Sequence, residues 1–325
     1  MKVGVVGCGH LGSLHARIYS ELPGVELVGV QDRDPAAAAR CAERLGCRVH
    51  ADLASLAAAA QALSVCVSTP AHRDVAVAAL AAGCDLLVEK PLAEDLAGAE
   101  AILAEAARRG RQVMVGHVER YNPAMLAALP HLRAPGFVES HRLAPFVARG
   151  AEVAVVLDLM IHDIDLLAMV IGEEVTALDA SGSSVLTGGI DIANARLRFA
   201  GGCVANITAS RISRERMRKL RVFQPDGYLA IDLLAGSVEF IRKPADFPTR
   251  LAAALATPAG LAALHLEDLV EQVPVPVVKA EPLRLELEAF TRAIAAGEPV
   301  PISGEDGLRA LRLALRILEA VQRGT

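Results

Sequence analysis

The amino-terminal stretch MKVGVVGCGHLGSLHARIYS runs from an apolar strand, with Val3, Val5 and Val6, into a turn holding three glycines. A helical pattern with Leu11, Leu14, Ile18 and Leu22 follows at once. No other feature of the chain limits the fold as strongly, because strand, turn and helix followed by a second apolar run is the pattern of a βαβ unit with parallel strands. Val25 to Val30, ending at Gln31-Asp32, supplies that next strand. The turn itself, Gly7-Cys8-Gly9-His10-Leu11-Gly12, has the G-x-G-x-x-G spacing. Its first glycine permits the tight turn, its second lets a pyrophosphate approach the backbone, and its third lets helix pack on strand. Gly7, Gly9, His10, Leu11 and Gly12 are therefore candidate contacts of a dinucleotide whose phosphates sit on the positive end of the helix.

Asp32 lies about twenty residues beyond Gly12, where a carboxylate accepts hydrogen bonds from the adenosine ribose. A carboxylate there repels a 2′-phosphate, which favours NAD over NADP. Arg33 beside it keeps NADP open, since a guanidinium binds phosphate.

A chain of 325 residues exceeds one comfortable core and suits two domains. The alternation continues with a helix from Pro35 to about Leu45, one capped by Asp52 to Ala60, and a buried strand from Leu63 to Val67. Ala71 to Ala82 reads as helix, Asp85 to Val88 as strand, Asp95 to Arg109 as helix, and Gln112 to Val115 as strand. This order predicts a doubly wound parallel sheet with helices on both faces over residues 1–118.

From Phe137 the texture changes. A long apolar helical pattern covers Val153 to Val170. Strand-like runs follow at Val175 to Val185, Ala193 to Phe199, Cys203 to Ala209, Leu220 to Phe223 and Tyr228 to Leu233. Residues 119–280 are expected to form an α+β domain with a large, mainly antiparallel sheet whose open face needs a cover, either substrate or another subunit. Residues 281–325 read as two amphipathic helices, Pro282 to Ala296 and Gly304 to Gln322, packing back on the domains. The pattern of residues 243–280 supports no assignment.

A formal charge of -5 over this length gives no general attraction to nucleic acid or to anionic membrane. No apolar run approaches a membrane span and no signal-peptide core opens the chain, so a soluble cytoplasmic protein is expected. The cysteines, Cys8, Cys41, Cys47, Cys66, Cys84 and Cys203, lack zinc spacing and read as buried small hydrophobes; no metal is expected.

Four segments carry polar chemistry. Glu89-Lys90-Pro91 ends a predicted strand, and ligands of open α/β sheets bind outside such ends. An ammonium at Lys90 can stabilise a developing alkoxide, or it can be a strand-end lysine in solvent. On the long helix, Asp158, His162 and Asp165 are spaced i, i+4 and i+7 and share one face. That stripe fits a general base supported by a carboxylate, a structural histidine, or a divalent metal. The third segment, Gly116-His117-Val118-Glu119-Arg120-Tyr121-Asn122-Pro123, follows the last strand of the first domain and suits a polyol or sugar, or a polar linker. The fourth, from Ser210 and Arg211 through Arg214, Arg216, Arg218, Lys219 and Arg221, is basic enough to hold a phosphate-bearing substrate, or is a solvated face or subunit contact.

Taken in order, VGVVGCGHLG, STPAHRDVA, LLVEKP, VGHVERYNPA and LDLMIHDID resemble the Gfo/Idh/MocA family of NAD(P)-dependent sugar and polyol oxidoreductases over nearly the whole chain. The resemblance implies a Rossmann cofactor domain, with Lys90, Asp158 and His162 as the catalytic group and Ser68, Thr69, His72 and Glu89 beside the cofactor. From the polar segments, Glu119, Arg120, Asn122, Asp165 and Arg211 are candidates toward the substrate, and the open sheet is expected to support a homo-oligomer, dimer or tetramer. The chain departs from the family's D-x-G-x-H core with Met160 in place of glycine, and it carries RGAEVAVV before Asp158. With GHVERYNPA and TASRISRERMRKLRVFQPDGY, this is similar to the subgroup that oxidises the 3-hydroxyl of UDP-N-acetylglucosamine ahead of transamination, for lipid A carrying a diamino sugar. By that analogy Arg211 meets the UDP diphosphate. A free polyol or sugar of the inositol or glucose type is the alternative substrate, and a non-catalytic NAD sensor is the alternative class.

Overall fold

The computed structural model describes residues 1–147, 153–256 and 265–324. The chain divides into two compact units, Met1–Tyr121 with Ala280–Arg316, and Asn122–Lys279 with Ile317–Thr325.

The first unit begins with β1 (Lys2–Val6), α1 (His10–Glu21), β2 (Glu26–Gln31), α2 (Pro35–Leu45), α3 (Leu53–Ala59) and β3 (Ala62–Val65). It continues with α4 (His72–Ala81), β4 (Asp85–Glu89), α5 (Leu96–Arg109) and β5 (Val113–Gly116). Helix ends follow local chemistry. Asp34 caps α2 by accepting from the Ala36 amide at 2.9 Å, and Pro35 fits the first turn because its missing N–H has no partner there. Asp52 and Asp95 cap α3 and α5 in the same way at 2.7 Å. Gly46 and Gly110 end α2 and α5 in the left-handed region, at φ 64° and 61°, which glycine enters without strain.

All five strands are parallel, in the order β2-β1-β3-β4-β5. Beyond β2, a single parallel bridge joins Val30 to Val49. The strand order reverses direction between β1 and β3, the switch point where open α/β sheets bind ligands. Pairing of Val6 with Val65, Val65 with Val88, and Glu89 with Gly116 aligns the carboxyl ends of the strands along one edge. The glycine turn, Cys66 to Ser68, Lys90 and His117 therefore leave the sheet from the same edge.

The second unit contains α6 (Pro123–Ala128), β6 (Phe137–Leu143) and α7 (Ile161–Ile171). Five further strands follow: β7 (Val175–Ser183), β8 (Ile192–Phe199), β9 (Val204–Ser210), β10 (Met217–Gln224) and β11 (Gly227–Asp232). Then come β12 (Ser237–Arg242), α8 (Phe247–Leu255), α9 (Leu266–Leu269) and β13 (Glu271–Val273). Last in the chain are α10 (Pro282–Ala296), in the first unit, and α11 (Gly304–Gly324), whose residues from Ile317 belong to the second.

The eight-stranded sheet runs β13-β12-β11-β10-β6-β9-β8-β7, with β6 and β9 parallel and every other pair antiparallel. One face is apolar: Val138, Ala195, Leu197, Ala205, Ile207, Leu220, Val222, Leu229 and Ile231 are buried. The other face is polar and laced across strands, Arg196 donating to Asn206 at 3.0 Å and Asn194 to Thr208 at 2.9 Å.

Two sequence expectations are corrected. The helix read over Val153 to Val170 opens instead with a π-turn at Val156–Met160 before α7, so the wide turn carries Asp158. β6, β12 and β13 were absent from the predicted strands. β6 escapes a pattern search because its buried face carries Ser140 and Arg142 beside Val138, which erases the apolar alternation. Among the described residues no helix is long and apolar enough to cross a membrane.

Candidate active site

The glycine turn shows why each glycine stands where it does. Gly7 adopts φ +92°, and a Cβ there would lie 2.6 Å from the Cys66 carbonyl oxygen. At Gly12 a Cβ would lie 1.7 Å from the Gly7 oxygen. Around Gly9 nothing lies within 4 Å of the Cβ position, so the turn is open on that side. No side chain caps α1, which leaves the amides of its first turn to an anion. A cleft of about 490 Å³ opens over Cys8, Gly9 and His10. The side chains of His10 and Leu11 are exposed on that turn.

Asp32 is held by both of its oxygens: Oδ2 accepts from the Cys8 amide at 2.5 Å and Oδ1 from the Asp34 amide at 2.8 Å. Each carboxylate oxygen keeps a second lone pair for a ribose hydroxyl. Arg33 is exposed. The residues present thus fit a dinucleotide: an uncapped helix start, an open glycine and a fixed carboxylate. Burial first, then Cys41 and Asp32 nearby, pushes the Cys8 thiol up to about 12.

Further along the same edge, Ser68 is exposed and Thr69 opens a short helical turn to Ala71. His72 is buried between two backbone carbonyls, its Nδ1 2.9 Å from the Pro91 oxygen and its Nε2 3.2 Å from the Val67 oxygen. Burial lowers its pKa, more than these carbonyls raise it. Glu89 is buried at the end of β4, with Lys90 half-buried beside it. A Cβ on Gly116 would lie 3.2 Å from the Glu89 carboxylate, so glycine at the end of β5 makes room for that side chain. Glu119 is buried, and Arg120 lies 3.8 Å from Asp306.

Within the second unit, Asp158 stands half-buried on the π-turn, His162 is half-buried in the first turn of α7, and Asp165 is buried. π-turns recur at functional sites because they turn a side chain away from the regular helical row. The basic segment splits. Arg211 is buried, donates to the Val153 carbonyl and lies 3.8 Å from Asp158, whereas Arg214, Arg216, Arg218 and Lys219 are exposed. Asn122 is buried too, its Nδ2 donating to the Leu233 carbonyl at 2.9 Å while its Oδ1 caps α6. Of the RGAEVAVV stretch, residues 149–152 lie outside the described residues.

Two buried pairs went unread in the sequence. Arg142 on β6 holds Asp163, the residue after His162, through Nε to Oδ2 at 2.8 Å and Nη2 to Oδ1 at 3.1 Å. His15 on α1 meets Glu89 at 2.9 Å. The available signal was a polar residue on an otherwise apolar face: Arg142 on a strand, and His15 between Gly12 and Ile18 on a helix.

A dinucleotide turn at the switch point of a doubly wound sheet, joined in one chain to a mainly antiparallel sheet, defines a dinucleotide-binding protein of two-domain type. A model described as the oxidoreductase family, NAD-binding Rossmann fold, matches residues 1–117, and one described as the GFO/IDH/MocA C-terminal domain matches residues 136–230. The chain is 35% identical to UDP-N-acetylglucosamine 3-dehydrogenase of Acidithiobacillus ferrooxidans, over 99% of this chain and 97% of that one. It is 26% identical to an inositol 2-dehydrogenase of Rhizobium meliloti, over 97% and 94% of the two chains. A solved structure of the Acidithiobacillus ferrooxidans enzyme matches with TM-score 0.89 at 34% identity, covering 99% of this chain and 98% of the other. The chain belongs to the Gfo/Idh/MocA family of oxidoreductases.

Proposed function

We propose that this enzyme oxidises a sugar hydroxyl with NAD, and that its substrate is UDP-N-acetylglucosamine, converted at C3 to the 3-keto sugar. The observation that carries this reading is the 35% identity, sustained over 99% of the chain, to an enzyme of that name. The inositol dehydrogenase at 26% identity supports the same reaction type on a free polyol. NAD supplies the hydride acceptor at C4 of its nicotinamide. NAD is favoured over NADP because Asp32 is fixed at the turn by two backbone amides, where its charge opposes a 2′-phosphate.

In this reading His162 takes the proton of the reacting hydroxyl, since a neutral imidazole is a base suited to neutral pH. Asp158 orients His162 and favours its charged form. Arg211, 3.8 Å from Asp158, helps to fix its direction. Lys90 donates a hydrogen bond to the sugar oxygen and stabilises the charge that develops there. The 3-keto product is the kind of carbonyl that an aminotransferase consumes, consistent with the lipid A role implied by the resemblance. We assign self-association to the polar face of the eight-stranded sheet, and light scattering after gel filtration checks the mass.

The test is turnover of Lys90→Met and His162→Ala. Loss of either group is expected to lower kcat by about 10²–10⁴-fold, the usual worth of a positioned acid or base, while NAD binding stays intact. Near-normal NADH formation in either variant removes that residue from the mechanism.

A further inference from the structure

The buried core of the first unit contains a directed chain of polar groups that ends beside Lys90. Tyr19 and His15 are both fully buried on α1. The Tyr19 hydroxyl lies 2.8 Å from the Ser64 oxygen on β3, and Ser64 lies 3.1 Å from His15 Nδ1. His15 Nε2 then meets Glu89 Oε1 at 2.9 Å. A carboxylate only accepts, so Nε2 carries a proton and donates in either charge state of the ring. Nδ1 is the nitrogen that exchanges roles with the Ser64 hydroxyl. Burying this many polar atoms is costly unless each has a partner, and here the partners run in sequence from helix to strand end.

We propose that His15 is a positioning residue for Lys90: it orients the Glu89 carboxylate at the end of β4 and keeps it as the anion beside the Lys90 ammonium. The inference rests on the reading of Lys90 as the group that meets the sugar oxygen. Its geometric basis is adjacency. Glu89 and Lys90 are consecutive at the edge where the cofactor turn leaves the sheet, and Gly116 on the neighbouring strand, having no side chain, leaves room for the carboxylate there.

The groups acting on Glu89 come from several elements: His15 from α1, His72 from α4, Cys66 after β3, and Lys90 itself. Tyr19 and the buried Glu286 of α10 act on the same cluster. Burial alone raises the Glu89 pKa, but the hydrogen bond from His15 and the electrostatic influence of His15, Lys90 and His72 outweigh it and hold the carboxyl below its usual value. Burial drives the Cys66 thiol well above its usual value, so Cys66 joins the cluster as a neutral group. The ligand atoms of His15, Cys66 and Glu89 lie within 4.8 Å of one another, so a metal held there is the competing account.

The sign of the linkage makes the proposal measurable without substrate. A depressed carboxyl pKa contributes stability that is present above the unfolded value and lost as pH falls. In His15→Leu the donor is gone, burial dominates, and the Glu89 pKa rises above its unfolded value. That variant then gains stability, relative to wild type, as pH falls. The experiment is thermal unfolding of the apo protein from pH 8 to pH 5 for wild type, His15→Leu, His15→Gln and the double variant His15→Leu/Glu89→Gln. NADH formation from UDP-N-acetylglucosamine is read in parallel, with NAD binding followed by fluorescence.

The expected result is a melting deficit of His15→Leu that shrinks toward low pH and loses its pH dependence in the double variant. kcat falls by about 10²-fold, as for a reacting group misplaced by about 1 Å, while NAD binding is unchanged. His15→Gln, whose amide can both donate to Glu89 and accept from Ser64, restores most of both. Should His15→Leu fail to fold, Glu89→Gln replaces it: the bond from His15 survives, the charge is gone, and kcat still falls. A pH-independent deficit overturns the proposal, as does a shifted deficit with normal kcat or stoichiometric metal in the purified protein that His15→Leu loses. If Lys90→Met abolishes turnover while His15→Leu and Glu89→Gln leave it intact, only this inference fails. If Lys90→Met is active, the reading beneath it fails.

Discussion

Removing one partner of the Arg142–Asp163 pair is expected to destabilise the second unit strongly. The two side chains are 3% and 2% exposed and joined by two hydrogen bonds, at 2.8 and 3.1 Å. Arg142→Met keeps the apolar stem and deletes the guanidinium, which strands a buried carboxylate. Breaking such a pair from one side costs about 3–5 kcal/mol. For a unit of this size each kcal/mol moves the melting temperature by about 2–4 °C, so the transition of this unit drops by about 6–20 °C. Arg142→Lys retains charge but not the fork, and falls between. Arg142→Met/Asp163→Leu removes both charges and recovers most of the loss, because an apolar pair replaces a buried ion pair at little or no cost. Scanning calorimetry of the four proteins decides it. A drop below about 3 °C for Arg142→Met, equivalent to about 1 kcal/mol, refutes the reasoning, and so does a double variant less stable than the single one. Since Asp163 adjoins His162, the single variant is also expected to lower kcat.

Other substitutions test the cofactor side. Gly12→Ala places a Cβ 1.7 Å from the Gly7 oxygen and must distort the turn, so NAD binding, followed by fluorescence titration, weakens by at least about tenfold, 1.4 kcal/mol. Gly9→Ala meets nothing within 4 Å, and its melting temperature stays at the wild-type value even where binding falls. Asp32→Ala relaxes cofactor choice, seen as a lower ratio of NAD to NADP turnover. Cys8, buried and pushed up to about 12, remains a neutral thiol at pH 8 and resists iodoacetamide, as peptide mass spectrometry will show; rapid alkylation contradicts that environment.

The first unit was largely legible because its chemistry is local. Asp34-Pro35 and Gly46 mark both ends of α2, Asp95 and Gly110 those of α5, and the glycine turn announces the βα unit around it. α10 keeps the predicted bounds Pro282–Ala296 for the same reason, with Pro282 at its start and Gly297 at its end. What stayed hidden depends on partners distant in sequence. Arg142 reads as a surface residue until Asp163 packs against it, and β6 consequently lacks its alternation. His15 looks like an incidental histidine until β3 and β4 bring Ser64 and Glu89 to it. The split of the basic segment is likewise tertiary, since nothing local separates the buried Arg211 from the exposed Arg214 and Arg216. The π-turn beneath Asp158 has no sequence signature, since the apolar run around it reads as one ordinary helix.

The central claim, that this oxidoreductase acts on the 3-hydroxyl of UDP-N-acetylglucosamine, is tested most directly by NADH absorbance. Purified protein and NAD are mixed with UDP-N-acetylglucosamine, and separately with inositol and with glucose; an aminotransferase and glutamate are included to remove the keto product. The account predicts NADH formation with the nucleotide sugar and none with the free polyol or sugar, slowed by about 10²–10⁴-fold in Lys90→Met and in His162→Ala. NADH formed only from inositol or glucose contradicts the substrate while keeping the catalytic group. Silence with all three, in protein that binds NAD, contradicts the substrate and favours the non-catalytic NAD sensor.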